Sequence, residues 1–576
     1  MNKKDIIILG ALILLVLMWP MVGPVIERQL FPRPDVEVVE PDEEAPAVAR
    51  PEETGAATGT AQPPSIHADV PPGAVVAEEF ETLEPEQTVL LTNHVVRITL
   101  SSRGGTVVGA LLRDYRQAVD IESDPVEFDF AGRRTLAYLG LGGLGESKTF
   151  ELSVSDDART ATLTRSDPSG LELTRLFELD EGYRTRVTDT LRNNTGAAVA
   201  LPDHAIQIGE MREPGAGKMK AGVYYLGVDA LRIGGKGVEY YGKKTMPKAI
   251  KNSGKLELEV RFGEPVEWVA VKNRFFAQIL TPKLGADDGV WIAKRDDVSQ
   301  KRISGVAANV ALPGTLMEPG GELAREFTLF IGPKKFSELS RYGQHQVDVM
   351  DFGMFAPICK FLLWVLNFIH DRLWPHNYGI AIMLLTVIIR ILFWPVTHKG
   401  TESMRRMQDI QPLMTELREK HKDNPQKQQS EMLALYKEHK VNPLGGCLPM
   451  VIQIPVFFAL FVVLRSAIEL RYAEFLWIRD LSEPENLFQN VLPIGLNILP
   501  LVMSVTMVWQ QKLTPTTADP RQAKIMQLMP IMMLFIFYGF AAGLVLYWTT
   551  SQVLMIVQQV VYKKRRERKE AAAAAG

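Results

Sequence analysis

Arg390 stands inside the apolar run 378–396, YGIAIMLLTVIIRILFWPV. That run is long enough to cross a bilayer as a helix. A charged group there costs about 2.5–3.5 kcal/mol on insertion scales, so it must have a use or reach water. It either serves a wet intramembrane cavity or snorkels from near the end of its span. Other polar side chains interrupt the long apolar runs. Thr386 lies one turn before Arg390, and Gln453 lies in 448–464. Trp548, Thr549, Thr550, Ser551 and Gln552 cluster in the last run, with Gln558 and Gln559 below them. Each alone fits interhelical hydrogen bonding. Together with Arg390 they could line a hydrophilic groove. The chemistry of such a groove is attraction of a negative or polar segment, strengthened by low local dielectric.

Other chemistries find little support. The stretch 237–245, GVEYYGKKT, nearly spells a phosphate-binding loop, but Lys244 stands where Ser or Thr is required. His94 and His204, with nearby acids, could suggest sugar chemistry. Scattered His and Glu on a β domain are more often structural, so no catalytic site is placed there. The two cysteines, Cys359 and Cys447, flank the Arg390 span. They should lie on opposite sides of the membrane, unpaired and without metal-ligand spacing. A net charge of −3 gives no argument for binding DNA.

The elements that hold these residues follow from hydropathy. The first apolar stretch, 6–25, follows Lys3 and Lys4 and contains Trp19 and Pro20. It exceeds a usual signal-peptide core and no small-x-small cleavage site follows. It reads as an uncleaved anchor (1–26) with its N-terminus in the cytoplasm. Residues 27–87, rich in Pro, Glu, Ala and Thr, read as a flexible linker. Short alternating stretches then recur, at 94–100, 160–165, 171–179, 183–191, 255–262 and 325–333, punctuated by Gly, Pro, Asn and Asp. Residues 88–335 are expected to form a large antiparallel β-sandwich outside the cytoplasm. Within 336–377, a polar helix is expected over 336–351 and an amphipathic interfacial helix over 355–372, with a genuine span packed behind Lys360 as the alternative for the second. The interfacial helix has Lys360, Trp364, Asn367 and Asp371 on one stripe.

The second span (378–398) leads into a basic stretch, 399–443, whose lysines and arginines mark it as cytoplasmic. Met404, Met407, Ile410, Met414 and Leu417 fall at helical spacing. After the break at Asn424–Pro425, Met432, Leu435 and Tyr436 continue on a second helix, giving a helical hairpin. Its methionines serve hairpin packing or an adaptable contact surface. Residues 444–562 hold the remaining spans. The run 525–561 would make a helix of roughly 55 Å, against a core of about 30 Å. It must break, with Gly539 and Gly543 as the natural place. Six spans result, and the basic tail (563–576) ends in the cytoplasm. The tail either attracts ribosomal RNA or anionic lipid or acts as a topology signal alone.

Three strings resemble the YidC/Oxa-type membrane protein insertases: VNPLGGCLPMVIQIPVFFALF (441–461), TPTTADPRQAKIMQLMP (514–530) and GLVLYWTTSQ (543–552). The Arg390 span and the hairpin fall in the family's order around them. The β domain after the first span is similar to the bacterial inner-membrane version. The resemblance covers about 350–562 closely and the β domain by architecture. It implies a polytopic α-helical membrane protein with six spans, five of them forming the insertase core. A large periplasmic antiparallel β-sandwich and a cytoplasmic helical hairpin complete it. It also implies a groove open to cytoplasm and lipid.

The family's groove arginine falls on Arg390 and its threonine on Thr386. Substrate contacts fall on Gln453, Pro455 and Phe457 of the third span and on Tyr547 and Trp548 of the last. Thr549 and Gln552 complete the expected groove, and Met404, Met407 and Met414 the expected hairpin contacts. Where the family often has two tyrosines, this chain has Tyr547 and Trp548. No cofactor or metal is implied, and the activity is the lowering of a transfer barrier, with no bond made or broken. The implied partners are nascent membrane proteins, the ribosome and targeting factors, the secretion channel and membrane lipids. The alternatives are a membrane transporter, which usually shows inverted repeats, and a membrane-anchored periplasmic carbohydrate-binding protein.

Overall fold

The computed structural model describes residues 85–574, except 121, 213–224, 236, 243–247, 249, 251–252, 297–302, 344, 423, 440, 442–447, 489–494 and 514–519. The expected anchor and linker, Cys447, part of the loop-like stretch 237–245 and the side chain of Met404 lie outside the described residues.

Strand formation follows the period-2 pattern. In Leu171–Leu179, alternate residues from Leu171 to Leu179 are buried and those between them are partly exposed. This strand sits in a nine-stranded antiparallel sheet with Glu151–Val154, Thr160–Ser166, Arg184–Asn193 and Glu322–Pro333. The other half of that sheet is built from Gly227–Arg232, Val238–Tyr241, Val266–Lys272 and Phe276–Pro282. A five-stranded sheet packs across that half through His204–Arg212 and Gly305–Leu312. Trp268 and Trp291 are fully buried in the core that results. A four-stranded meander runs from Thr88–Thr92 to Pro125–Asp129. The domain is therefore the expected antiparallel β-sandwich.

The expected polar helix over 336–351 is not continuous. One turn, Phe336–Leu339, is followed by a 3-10 segment, Gln346–Met350. Gly343 (φ +65°) and His345 (φ +59°) between them adopt left-handed backbone, which an α-helix cannot contain. Next comes α1 (Ala356–Arg372), which buries Cys359, Leu362, Leu363, Leu366 and Ile369. Its outer face is aromatic. Trp364 stacks between Phe361 and Phe368, with centroids 6.3 and 5.7 Å away. The polar residues turn sideways, with Lys360 bonding Asp348 at 3.0 Å and Asn367 bonding Glu469 at 3.4 Å.

Helix α2 (Tyr378–Leu392) holds Thr386 and Arg390. Three helices follow: α3 (Trp394–Asp409), α4 (Gln411–Lys420) and α5 (Pro425–Glu438). Asn424 caps α5 by accepting from the Lys427 N–H at 3.0 Å. Ile410, Met414 and Val441 form a small core of this hairpin, with Met407, Met432, Leu435 and Tyr436 against it. Then come α6 (Leu448–Ser466), α7 (Ile498–Leu513), α8 (Pro520–Phe537) and α9 (Ala542–Ala574). The long last run breaks between α8 and α9, around Gly539, while Gly543 lies in the first turn of α9. Among the described residues, Gly353–Arg372 and Ala542–Tyr562 are long and apolar enough to cross a membrane. Shorter apolar helices are Tyr378–Leu392, Gln453–Ser466 and Gln527–Phe537.

Candidate functional site

Helix α9 is the centre of the bundle and packs on α2, α6 and α7. Its residues one turn apart share a face, so Tyr547 and Ser551 form one stripe, and Trp548 and Gln552 the next. On the first stripe, Tyr547 is 1% exposed and its hydroxyl accepts from Gln453 Nε2 of α6 at 3.2 Å. One turn further, Ser551 receives Arg390 of α2. Arg390 Nε donates to Ser551 Oγ at 3.0 Å, and Nη2 donates to the Ser551 carbonyl at 3.1 Å and also to Oγ. On the second stripe, Trp548 sits edge-on to Phe457 of α6 at 5.2 Å and lies 5.3 Å from Phe537 of α8. The Trp548 indole N–H and Gln552 Oε1 are buried without a partner among the described residues. An unsatisfied buried polar group is costly, so these atoms mark a place that a polar group can complete.

Not every expected residue presents its polar group here. Thr386, 1% exposed, donates its hydroxyl to Ile382 O at 2.7 Å within its own helix. Thr549 does the same to Val545 O at 2.8 Å. Pro455 lies inside α6, where its ring removes one helical hydrogen bond. Among the hairpin methionines, Met414 is buried in the hairpin's own core and Met407 packs against it. Among the described residues, no group of three or more His, Cys, Asp or Glu could hold a metal ion.

The structure adds a feature between α6 and α7. The described residues of 467–497 hold the first turns of three helices. Asn377, which caps α2, donates to Glu474 O at 2.8 Å. Glu485 accepts the Ile498 and Leu499 N–H groups of α7 at 2.9 and 2.6 Å. At α9, the Ala542 and Gly543 N–H groups donate to the Glu483 and Leu481 carbonyls, both at 2.8 Å. A Cβ on Gly543 would meet Leu481 O at 3.0 Å, so this approach requires glycine or a shift. The loop and the end of α6 are fastened in turn to the β domain. Arg274, 5% exposed, donates to Arg465 O at 2.9 Å and Ser482 O at 2.7 Å, and pairs with Glu483. Burial disfavours the Arg274 charge, but Glu483 beside it holds the guanidinium above its ordinary pKa. Asp480 in the same loop is pushed up by burial, which the Ser482 hydroxyl and N–H partly offset.

A half-buried arginine bonded to neutral acceptors, in an apolar helical bundle hung from a β-sandwich, is the arrangement of a membrane protein with a polar site among its helices. Comparison with known proteins places that class. A family model described as the YidC periplasmic domain matches residues 88–365, and one described as 60Kd inner membrane protein matches 368–570. The membrane protein insertase YidC of Geobacter sp. (strain M21) is 34% identical over 425 residues, 71% of each chain. That of Pelobacter propionicus is 32% identical over 535 residues, 89% of this chain and 92% of its own. A crystal structure of active YidC insertase with the first transmembrane domain resolved aligns over 83% of this chain and 94% of that one. Its identity is 18% and its TM-score 0.35. The chain belongs to the YidC family of membrane protein insertases, a family of inner-membrane proteins that are not enzymes.

Proposed function

We propose that this chain moves the short polar tail of a nascent membrane protein across the bilayer along a groove walled by α2, α6 and α9. The apolar segment then passes into lipid, driven by burial at about 25 cal/mol per Å². Family membership supports nascent membrane proteins as the substrate class. The observation that carries the groove is Arg390, which has no carboxylate partner among the described residues and is bonded there to Ser551 alone. Such a charge attracts an acidic tail, and more strongly in a low-dielectric surrounding. Phe457 and Trp548 offer the apolar segment an aromatic wall.

In this reading the chain has six spans, with its N-terminus, the α3–α5 hairpin and the basic tail in the cytoplasm. The β domain lies in the periplasm and α1 lies in the outer interface. The lysines and arginines of 399–440 and of the tail support this orientation, and the aromatic outer face of α1 suits the headgroup region. The hairpin and tail face the ribosome, targeting factors and anionic lipid, and the secretion channel is a further partner.

The test is rescue of insertase-depleted cells with this chain, scoring a single-span reporter with either an acidic or a neutral tail. Arg390→Lys should largely preserve insertion. Arg390→Ala should impair the acidic-tailed reporter more than the neutral one, and equal effects on both would refute the groove. Cysteine probes at Ser155 and Lys427 should label from outside and only after permeabilisation, respectively.

A further inference from the structure

Arg390 is the third residue from the end of α2 (Tyr378–Leu392). A long cationic side chain so close to a helix end ordinarily extends along its stem to the nearest polar surface. Here it crosses to α9 instead. Two of its three guanidinium nitrogens, Nε and Nη2, are held by one residue, which accepts with both its hydroxyl and its backbone carbonyl. A carbonyl oxygen has two lone pairs, so the Ser551 carbonyl can serve α9 and Arg390 together. Ser551 is 5% exposed, so water competes little for these bonds. Nη1 has no partner among the described residues.

The surroundings give this tie a direction. Ser551 follows Tyr547 by one turn on the stripe that meets α6 through Gln453. The neighbouring stripe offers the unpartnered Trp548 Nε1 and Gln552 Oε1. The guanidinium is thus drawn to a region of the bundle where buried polar atoms await a partner.

We propose that Ser551 is the positioning residue for Arg390. It holds the positive charge inward, against α9, and leaves Nη1 to meet the carboxylate of a substrate's tail. This rests on the groove reading. Ser551 supplies no charge and need not touch the substrate. Without its hydroxyl, Arg390 keeps only the carbonyl bond and follows its stem toward the cytoplasmic surface, away from the depth at which an acidic tail must be captured.

The experiment uses the full chain in the depletion-rescue assay, reading the ratio of acidic-tailed to neutral-tailed insertion within each variant. Ser551→Ala should lower that ratio by at least roughly tenfold, the factor for the loss of even one of the two charged hydrogen bonds that the hydroxyl accepts. Ser551→Thr, which keeps the hydroxyl, should restore it. The pair Arg390→Ala with Ser551→Ala should lower the ratio no further than Arg390→Ala alone, because both remove one interaction. Ser551→Cys keeps the size with a poor acceptor and should act as Ser551→Ala does, which covers the case of a packing defect. If Ser551→Ala lowers both reporters equally, or leaves the ratio unchanged while Arg390→Ala changes it, Ser551 does not position the charge and the groove stands. If neither variant moves the ratio, the groove reading falls as well.

Discussion

Arg274→Ala is the most direct probe of how the β domain supports the bundle. The substitution removes two charge-assisted hydrogen bonds to backbone carbonyls, Arg465 O and Ser482 O, and an ion pair with Glu483. The Glu483 side chain is 47% exposed, so water reclaims its carboxylate and the ion pair adds little. Arg465 O belongs to the end of α6, so Ser482 O decides the magnitude at the loop. At about 1.5 kcal/mol for a bond from a charged donor, the loop loses about 1.5 kcal/mol of support. Cation–π contacts of Arg274 with Tyr225 and Phe275, at 5.0 and 4.6 Å, add in the same direction. The loop that loosens is the one whose carbonyls accept the Ala542 and Gly543 N–H groups. Hydrogen exchange of those two amides should therefore accelerate roughly tenfold, the factor for about 1.5 kcal/mol. Arg274→Lys should not rescue it, because one ammonium cannot reproduce the planar fork. If both amides exchange as in the parent while the variant stays folded, the loop holds α9 without help from the β domain.

Three further outcomes follow from the same structure. A Cβ at Gly379 would run into the Phe475 ring, so Gly379→Ala should cost about 1–3 kcal/mol by overpacking, read as a lower thermal midpoint in detergent. In the β domain, Arg175 and Asp189 are fully buried, joined by bonds of 2.7 and 2.6 Å, and Tyr138 also donates to Asp189. Arg175→Met alone should cost about 3–5 kcal/mol in urea unfolding, and adding Asp189→Leu should recover much of it. Hydrogen bonds from Arg134 and then Ser101 hold the Glu86 carboxyl below its ordinary pKa. Its folded pKa is depressed, so its stabilisation is present above the unfolded value and is lost as pH falls below about 4.5. Glu86→Gln should flatten stability in that window, and an unchanged acid limb would refute the pairing.

Much of this architecture was legible because it is local. Period-2 alternation located the strands, since burial on one sheet face follows from side-chain direction alone. Asn424 before Pro425 located the start of α5, and length alone required the break between α8 and α9. Residue type singled out the polar and aromatic side chains that touch α9: Gln453 meets Tyr547, Phe457 meets Trp548, and Arg390 reaches the same helix at Ser551. What sequence concealed were pairings over long separations. Ser551 was visible as part of a polar cluster, but nothing local tied it to Arg390, 161 residues away. A stronger reading of the i, i+4 stripe from Tyr547 would have singled it out. Thr386 and Thr549 misled in the other direction, because a helical threonine can turn its hydroxyl onto its own backbone. The loop 467–497 was passed over because backbone carbonyls, which do most of its work, leave no trace in residue type. On α1, the helical wheel placed Trp364 with polar residues, but Phe361 and Phe368 on either side make it part of an aromatic ladder.

The fastening of α9 at one end has a mechanical consequence. The helix runs for 33 residues, about 50 Å at 1.5 Å per residue, and its root is set in the loop carbonyls at Ala542 and Gly543. From that root the helix is clamped along its packed length, at Ser551 by Arg390 and again where the Tyr562 hydroxyl lies 2.8 Å from His398 Nε2 of α3. The cantilever is the stretch beyond Tyr562, about 18 Å of helix at 1.5 Å per residue. A sideways push on the basic end, from whatever docks there, bears first on the Tyr562 clamp. The aromatic wall, set between that clamp and the root, is braced against the same push.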